Sequence, residues 1–267
     1  MKLLSREAQH LVPFKNGQVC WHDFGSGEPL VLLHGGHGSW EHWIKNINAL
    51  ATRFRVLVPD MPGYGKSSMV EESTLENLLE PLVATMNLLV GDTAEINLAG
   101  FSFGGYVAVN LANQRKFVKK IALLGSAGHG QPRRPIGDLL SWKRSYLQQN
   151  WNLFNEIMRT NLQLHMLSSP SAIDDLSVRI HKNACLETRF RSTEISRAGG
   201  LLEQLKLFHK PILIIFGEHD VTATPIDLAE ILIDEGSNRQ YIIVDNAGHW
   251  VQYEQHEQVN SILLEWF

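Results

Sequence analysis

The sequence predicts an α/β fold in which a mostly parallel β-sheet is flanked by helices. Short apolar runs alternate with longer amphipathic stretches, and each run is closed by Gly, Pro, Asp or His. Such runs are typical of parallel strands that are buried on both faces, because helices cover both sides of the sheet. The expected strands are LVLLH (30–34), RVLVP (55–59), INLAG (96–100), IALLG (121–125), ILIIFG (212–217) and YIIVD (241–245).

Helix-length segments with recognisable starts lie between these strands. Ser73 and Glu76 have the spacing of a capping box, in which a hydroxyl and a carboxylate satisfy the free N–H groups of a helix start. Thr224 precedes Pro225, the arrangement expected of an N-cap followed by proline at the first helical position. The terminal stretch 256–267 is helical by spacing, and its apolar face comprises Val259, Ile262, Leu263 and Trp266.

The alternation stops between residues 130 and 207, where no convincing strand occurs. Apolar residues recur there at helical spacing, and the phrases QPRRPIG and SSP interrupt the pattern. We therefore expect one catalytic core, residues 1–129 and 208–267, that carries a helical lid over residues 130–207. An insertion of this kind is expected over the mouth of the site. The apolar residues are Leu139, Trp142, Tyr146, Leu147, Phe154, Ile157 and Met158.

Composition excludes several classes of protein for this chain of 267 residues. There are 24 Lys and Arg against 28 Asp and Glu, a formal charge of −4, which argues against a nucleic-acid binder. No apolar run approaches eighteen residues, so no membrane span is expected, and the start MKLLSREAQH lacks a signal-peptide core. The two cysteines, Cys20 and Cys185, cannot form a disulfide framework, so a reducing cytoplasm is expected. We expect a small-molecule substrate as the partner; a homodimer is left open.

The strongest local signal is the run from Gly100 to Gly104, GFSFG, which lies directly after a strand and before a helix. This is the G-x-S-x-G pattern of a serine nucleophile on a sharp strand-to-helix turn. Glycines two residues before and after Ser102 leave room for the neighbouring backbone, and the helix N-terminus favours developing negative charge. An ordinary glycine-rich turn is the alternative, but the flanking strand and helix favour a nucleophile.

A serine hydroxyl needs a base, and two later strand ends supply a base and an acid. Asp220 follows the strand ILIIF in the phrase GEHD, and His249 follows YIIV in the phrase DNAGHW. Since the carboxyl ends of parallel strands meet at one edge, we expect Ser102, Asp220 and His249 to form a catalytic triad. The rivals for the acid are Glu218 and Asp245, and the spacing Gly217-x-x-Asp220 favours Asp220.

The glycine-rich loop HGGHG (34–38) is the expected second half of an oxyanion hole. One amide should come from Phe103 and the other from Gly36, with His37 as the less favoured donor. A metal pair of His34 and His37 is disfavoured because no third ligand follows at helical spacing, so no metal is expected. The stretch DMPGYGKS (60–67) lacks the first glycine of a phosphate-binding loop and is interpreted as a structural turn.

Together, HGGHGSW (34–40), PDMPGYGKS (59–67), GFSFGG (100–105), FGEHD (216–220) and GHW (248–250) resemble the α/β-hydrolase superfamily over essentially the whole chain. Within it, the sequence looks most like the meta-cleavage-product hydrolases, which cleave a carbon–carbon bond in vinylogous 1,5-diketones from aromatic degradation. The resemblance implies substrate contacts from Trp250 and from Arg189, which would hold a carboxylate. It also places Phe101 and His42 where that family has asparagines, and His37 is a further candidate contact.

The expected function is that of a serine hydrolase, without a cofactor, acting on a small and partly apolar carbonyl compound. Carbon–carbon hydrolysis of a vinylogous diketo acid is the leading form, and a carboxylesterase, lactonase or haloperoxidase-like enzyme is the alternative. A dehalogenase or epoxide hydrolase is disfavoured because both need a carboxylate nucleophile, whereas position 102 is Ser. A ligand receptor on the same fold is a further alternative from a different class.

Overall fold

The computed structural model describes residues 7–233 and 238–267, which contain an eight-stranded sheet with the order β1-β2-β4-β3-β5-β6-β7-β8. β1 and β2 are antiparallel to each other, β2 is antiparallel to β4, and the remaining neighbours are parallel. The strands are β1 (Glu7–Phe14), β2 (Gly17–Gly25), β3 (Glu28–Leu33), β4 (Phe54–Asp60), β5 (Ile96–Phe101), β6 (Val118–Leu124), β7 (Ile212–Gly217) and β8 (Arg239–Val244).

The six predicted strands are confirmed as β3 to β8, and the mostly parallel α/β sheet is confirmed with them. The first two strands form an antiparallel hairpin that the search for continuous apolar runs did not detect. β1 contains polar residues and Pro13, as expected at the edge of a sheet, where one row of backbone groups has no ladder partner. β2 carries the buried Cys20 and lies between β1 and β4.

Helices cover both faces of the sheet, and alternate strand residues serve two separate cores. In β3, for example, Val31 and Leu33 face one core, whereas Leu30 and Leu32 face the other. The first core includes residues of α2, α3, α8 and α9, and the second includes residues of α1, α5, α6, α10 and α11. The helices are α1 (Ile47–Leu50), α2 (Leu75–Val90), α3 (Phe103–Gln114), α4 (Lys143–Leu147), α5 (Trp151–His165), α6 (Asp175–Glu187), α7 (Thr193–Arg197), α8 (Leu201–Leu207), α9 (Pro225–Leu232), α10 (Val251–Glu254) and α11 (His256–Trp266).

The predicted helix starts are close to those observed. α9 begins at Pro225 after Thr224, as expected, but α2 is capped one residue later than the capping box implies. Thr74 is the N-cap, and its hydroxyl accepts from the N–H of Asn77 at 3.2 Å. Ser73 instead accepts a hydrogen bond from the backbone N–H of Arg191, so it links α2 to the inserted segment.

The segment between β6 and β7 contains α4 to α8 and, among the described residues, no strand. The expected lid ends at residue 207, whereas α8 packs with the sheet-covering helices. Leu201 and Leu205 are buried in the first core, and the side chain of Gln204 accepts from Asn113 of α3 at 2.9 Å. α8 therefore belongs to the layer that covers the sheet. No helix within the two described ranges is long and apolar enough to cross a membrane.

Candidate active site

Ser102 occupies a sharp turn between the end of β5 and the start of α3. Its φ of 53° and ψ of −118° lie where non-glycine residues are seldom found, which marks a strained and positioned residue. A Cβ on Gly100 would lie 2.7 Å from the Cα of Gly105, and one on Gly104 would lie 2.7 Å from the carbonyl carbon of Leu33. The turn therefore requires glycine on both sides of the serine.

The structure brings Ser102, His249 and Asp220 together from three different strand ends. The Oγ of Ser102 lies 3.0 Å from Nε2 of His249, and Nδ1 of the same ring lies 2.8 Å from Oδ2 of Asp220. The rival acids are elsewhere: Glu218 accepts from the backbone N–H of Asn246, and Asp245 is exposed. This geometry lets His249 accept the serine proton while Asp220 holds the ring.

Thr222 completes the environment of the Asp220 carboxylate. Its N–H and its hydroxyl both donate to Oδ1, at 2.8 and 2.7 Å, while Oδ2 faces His249. Burial would raise the pKa of Asp220, but the His249 ring and the Thr222 hydrogen bonds outweigh burial and hold this pKa below its usual value. The ionised carboxylate fixes the ring proton on Nδ1, so Nε2 is left as the acceptor for Ser102.

The two residues expected to form the oxyanion hole lie side by side next to Ser102. A Cβ on Gly36 would stand 3.6 Å from the Cβ of Phe103 and would collide with Ser192 Oγ. Phe103 is the first residue of α3, so its N–H has no carbonyl one turn earlier to bind. Both residues line the same cavity as Ser102, a position from which their amides can serve one oxyanion.

A cavity of about 340 Å³ opens above the triad, between the sheet edge and the inserted helices. Of the predicted substrate contacts, His37, His42 and Phe101 line it, together with Ser102 and His249. The Phe101 ring lies 4.9 Å from the His249 ring and 5.3 Å from the His42 ring. The cavity therefore has an apolar wall directly beside the nucleophile.

Arg189 and Trp250 do not line this cavity, so the substrate contacts expected of them are wrong. Arg189 is exposed, and its guanidinium donates to the carbonyl oxygens of Gly65 and Ser67. Trp250 is the residue directly before α10. Its ring is fully buried in the second core, next to His42. Its Nε1 donates to the carbonyl oxygen of His42 at 3.0 Å, so it supports a residue of the cavity wall.

The imidazole ring of His42 has a hydrogen-bond donor that no described residue accepts. Its Nδ1 accepts from the backbone N–H of Gly35 at 3.2 Å, so a neutral ring must carry its proton on Nε2. Burial, followed by the neighbouring histidines, lowers the pKa of His42 well below its usual value, which keeps the ring neutral. Nε2 is buried and has no hydrogen-bond partner among the described residues. His42 is itself one of the residues that line the cavity.

Several lining residues were not predicted. Arg133, Lys143 and Arg197 line the cavity, yet QPRRPIG was interpreted only as a helix breaker. His165 lies 5.6 Å from the His249 ring, and burial, with the charge of neighbouring groups, lowers its pKa to about 3. Burial raises the pKa of the Cys185 thiol to about 12, which disfavours the thiolate form that a nucleophile needs. The basic residues of the inserted segment were the sequence feature from which a cationic cavity wall could have been predicted.

Two motifs that could suggest a metal or phosphate site have structural roles instead. Both ring nitrogens of His34 are occupied, Nδ1 at 2.8 Å from the Gly35 carbonyl oxygen and Nε2 accepting from the N–H of Met61. Asp60 accepts from the backbone N–H groups of Trp40 and Lys66, so it organises the turn that contains GYGKS. In the described ranges, one buried group has metal-ligand chemistry, and it comprises Cys20, His22 and Asp60.

The family model of the alpha/beta hydrolase fold matches residues 28–255, which is most of the chain. The chain belongs to this family, and fold and site together define an α/β-fold serine hydrolase. Among its relatives is the 2-hydroxy-6-oxononadienedioate/2-hydroxy-6-oxononatrienedioate hydrolase of Paraburkholderia phymatum, 28% identical over 93% of this chain and 90% of that protein. Another is the dihydrolipoyllysine-residue acetyltransferase component of the acetoin cleaving system of Pseudomonas putida. It is 29% identical over 91% of this chain, which spans 65% of that protein.

Solved structures share the same fold over nearly the whole chain. The meta-cleavage product hydrolase CumD of Pseudomonas fluorescens IP01 is 25% identical, with a TM-score of 0.73 over 93% of both chains. Naproxen esterase of Bacillus subtilis has a TM-score of 0.78 over 99% of this chain and 93% of its own, at 21% identity, which is a likeness of fold.

Proposed function

We propose that the protein hydrolyses a carbon–carbon bond in a small vinylogous diketo acid, with Ser102 as the nucleophile. His249 is the general base and acid, Asp220 positions it, and the amides of Gly36 and Phe103 receive the oxyanion. The proposal is supported by relatives of similar length that are named for the hydrolysis of 2-hydroxy-6-oxo dienedioic acids. A cavity of about 340 Å³ suits a small molecule as the substrate.

The distances at the triad support the following order of steps. His249 Nε2 takes the proton of Ser102 Oγ, 3.0 Å away, as the oxygen attacks the ketone carbon and the carbonyl becomes an oxyanion. The substrate reacts in its diketo form, in which the proton of the 2-hydroxyl group has moved to the carbon next to the 6-ketone. When the oxyanion collapses, the bond between this carbon and the former ketone carbon breaks, and its electron pair moves through the remaining double bond to the 2-oxo oxygen as a dienolate. His249 returns its proton to the leaving carbon. Water, deprotonated by His249, then cleaves the acyl-Ser102 ester.

The single observation that carries this choice is the unpaired Nε2–H of His42. Ester hydrolysis develops one oxyanion, which the Gly36 and Phe103 amides can bind, and its leaving oxygen takes a proton from His249. Carbon–carbon cleavage develops charge on a second, distant oxygen and benefits from a second donor. His42 supplies a buried donor with a fixed tautomer on the same cavity wall, 5.3 Å ring to ring from Phe101.

Ester hydrolysis is the second candidate, and Phe101 is the observation that favours it. The resemblance to carbon–carbon hydrolases places a polar asparagine at this position, whereas a buried phenyl ring lies here, directly before the nucleophile. An apolar wall suits the acyl chain of a simple ester as well as it suits a dienoic acid. The same triad and oxyanion hole would serve both reactions.

Turnover of two substrates by the purified protein decides between these candidates. A 2-hydroxy-6-oxo dienoic acid is mixed with the protein, and loss of its conjugated absorbance is followed beside release of p-nitrophenol from a p-nitrophenyl ester. We expect kcat/KM for the dienoic acid to exceed that for the ester, and both activities to be lost in Ser102→Ala. Turnover of the ester without cleavage of dienoic acids would contradict carbon–carbon hydrolysis. Ester hydrolysis would then be the supported function.

A reducing, cytoplasmic location is part of the proposal. The chain has two cysteines: Cys20 is buried in β2, and Cys185 lies on the cavity wall. Two cysteines cannot supply the disulfide framework that commonly stabilises proteins of oxidising compartments. Fractionation of the source cells with an antibody against the protein would test this location, and recovery outside the cytoplasm would contradict it.

A further inference from the structure

We infer that Arg133 and Arg197 form an anion-binding subsite of the cavity that takes the carboxylate of the substrate. The inference rests on the proposed function, because it assigns the acidic end of the proposed substrate to named residues. It replaces Arg189, whose guanidinium is bound to backbone carbonyls outside the cavity.

The charged side chains on the described cavity wall are cationic. Arg133, Lys143 and Arg197 line the cavity, whereas no Asp or Glu is among its described lining residues. The Asp220 carboxylate lies beneath the wall, but its two oxygens are occupied by His249 and Thr222. A cavity with cations on its wall and no free carboxylate attracts and retains anions.

The side chains of Arg133 and Arg197 make no hydrogen bond or ion pair that would stabilise the part of the fold that the structure describes. Within the described ranges, no hydrogen bond or ion pair joins the guanidinium of Arg133 or Arg197 to another residue. The adjacent Arg134 is different: its Nε donates to the carbonyl oxygen of Ala223 at 2.7 Å, and its Nη2 donates to that of Asp220. Arg134 thus anchors the loop beside the triad, whereas the adjacent Arg133 lies on the cavity wall.

The two arginines belong to segments that a backbone hydrogen bond joins, and both line the same cavity. The N–H of Gly128 donates to the carbonyl oxygen of Ser196 at 2.9 Å, which joins the loop after β6 to the end of α7. Burial and then the charge of Arg197 lower the pKa of Arg133, while the charge of Asp220 acts in the opposite direction and is outweighed. A bound carboxylate would relieve this repulsion and accept hydrogen bonds from both guanidinium groups.

The subsite predicts a preference for acyl groups that end in a carboxylate. The test compares p-nitrophenyl valerate with mono-p-nitrophenyl glutarate, whose acyl chain has the same length but ends in a carboxylate. We expect the wild-type protein to favour the glutarate ester. Arg133→Gln and Arg197→Gln should each lower kcat/KM for the glutarate ester by about ten- to a hundredfold, as expected for hydrogen bonds to charged groups. Turnover of the valerate ester should change by less than about twofold, which also shows that the variants fold.

Arg191→Gln is the matched control, because it removes the same charge from an exposed residue that does not line the cavity. It should leave the ratio of the two kcat/KM values unchanged, and Arg133→Lys should recover only part of the loss, because lysine lacks the planar fork. Calorimetric titration of glutarate gives a readout that is independent of turnover. We expect its Kd to weaken by about tenfold or more in both Gln variants.

Equal losses on both esters, a wild-type preference for valerate, or unchanged glutarate binding in the Gln variants would overturn the subsite. Failure of the proposed function has a different signature. If dienoic acids are not cleaved but the glutarate preference depends on Arg133 and Arg197, carbon–carbon hydrolysis is wrong and the anion subsite stands.

Discussion

The guanidinium of Arg189 donates to the carbonyl oxygen of Ser67 at 2.6 Å and to that of Gly65 at 3.0 Å. These bonds fasten the segment after α6 to the turn after β4, and the backbone N–H of Arg189 adds a third link to the carbonyl oxygen of Gly63. The side chain therefore joins the inserted helices to the core, on the outside of the cavity that it was expected to line.

A structural role for Arg189 gives it a distinct mutational signature. Arg189→Gln should lower the free energy of unfolding by about 1–2 kcal/mol, because two charged hydrogen bonds are lost at a partly exposed site. The ratio of kcat/KM for acidic and neutral substrates should stay as in the wild type. Chemical denaturation and the two-ester assay measure these effects. A selective loss of activity on the acidic substrate would instead indicate that Arg189 contacts the substrate.

The acid of the triad is tested by exchanging a carboxylate for an amide at two positions. Asp220→Asn should lower kcat by about 10⁴-fold with little loss of folding, because the amide no longer selects the tautomer of His249. Glu218→Gln removes a carboxylate from the same loop, where it accepts from the backbone N–H of Asn246 and lies 3.6 Å from Nε2 of His219, and it should keep near wild-type activity. The opposite pattern, measured by steady-state kinetics, would mean that the acid is misassigned.

The donor of His42 is tested with one variant that keeps a donor and one that removes it. His42→Phe should lower kcat for a dienoic acid by about 10²-fold. Removing one hydrogen-bond donor from an oxyanion hole typically lowers kcat by about 10²–10³-fold. His42→Asn offers an amide N–H and should retain more of this activity. Hydrolysis of p-nitrophenyl valerate is the control, and we expect it to change much less. A parallel decline of both reactions would show that His42 only supports the shape of the cavity.

Buried histidines make the stability depend on pH. Burial lowers the pKa of His34 and His181 to about 4 and that of His165 to about 3. Between pH 6.5 and 4 the unfolded chain therefore binds more protons than the folded one, so the free energy of unfolding falls as the pH falls through this window. One ring with this shift accounts for about 3 kcal/mol of the loss.

His181→Met should flatten this dependence by about one ring's contribution, because Nδ1 of His181 is buried and has no hydrogen-bond partner in the described chain. Urea unfolding at several pH values between 4 and 7 measures the slope, with the exposed His219→Gln as the control. If both variants keep the wild-type slope, His181 does not remain neutral in the folded protein.

The sheet was predictable where the chain signals burial on both faces. Six strands are marked by continuous apolar runs. β1 lies at the edge of the sheet and mixes polar with apolar residues, so the hairpin that it forms with β2 was not predicted. The triad was predictable for a related reason: Ser102, Asp220 and His249 each follow such a strand, and parallel strands end at one edge.

Side-chain direction on the inserted segment was not predictable in this way. Arg189 lies beyond the end of α6, where no helical periodicity fixes the face it points to, and hydrogen bonds to Gly65 and Ser67 turn it outward. Trp250 is adjacent to His249 in sequence, but the start of α10 rotates its ring into the core. Arg133 lies on the cavity wall next to Arg134, which anchors the loop through a tertiary contact that no local pattern encodes.

The central claim is that hydrolysis proceeds through Ser102, and active-site labelling during turnover tests it most directly. A fluorophosphonate is added in increments, and the remaining kcat is plotted against the fraction of Ser102 labelled, as measured by peptide mass spectrometry. We expect activity to fall in proportion to the label and to reach zero at one label per chain, with no labelling in Ser102→Ala. Full labelling of Ser102 with activity retained, or loss of activity through a label elsewhere, would contradict the claim.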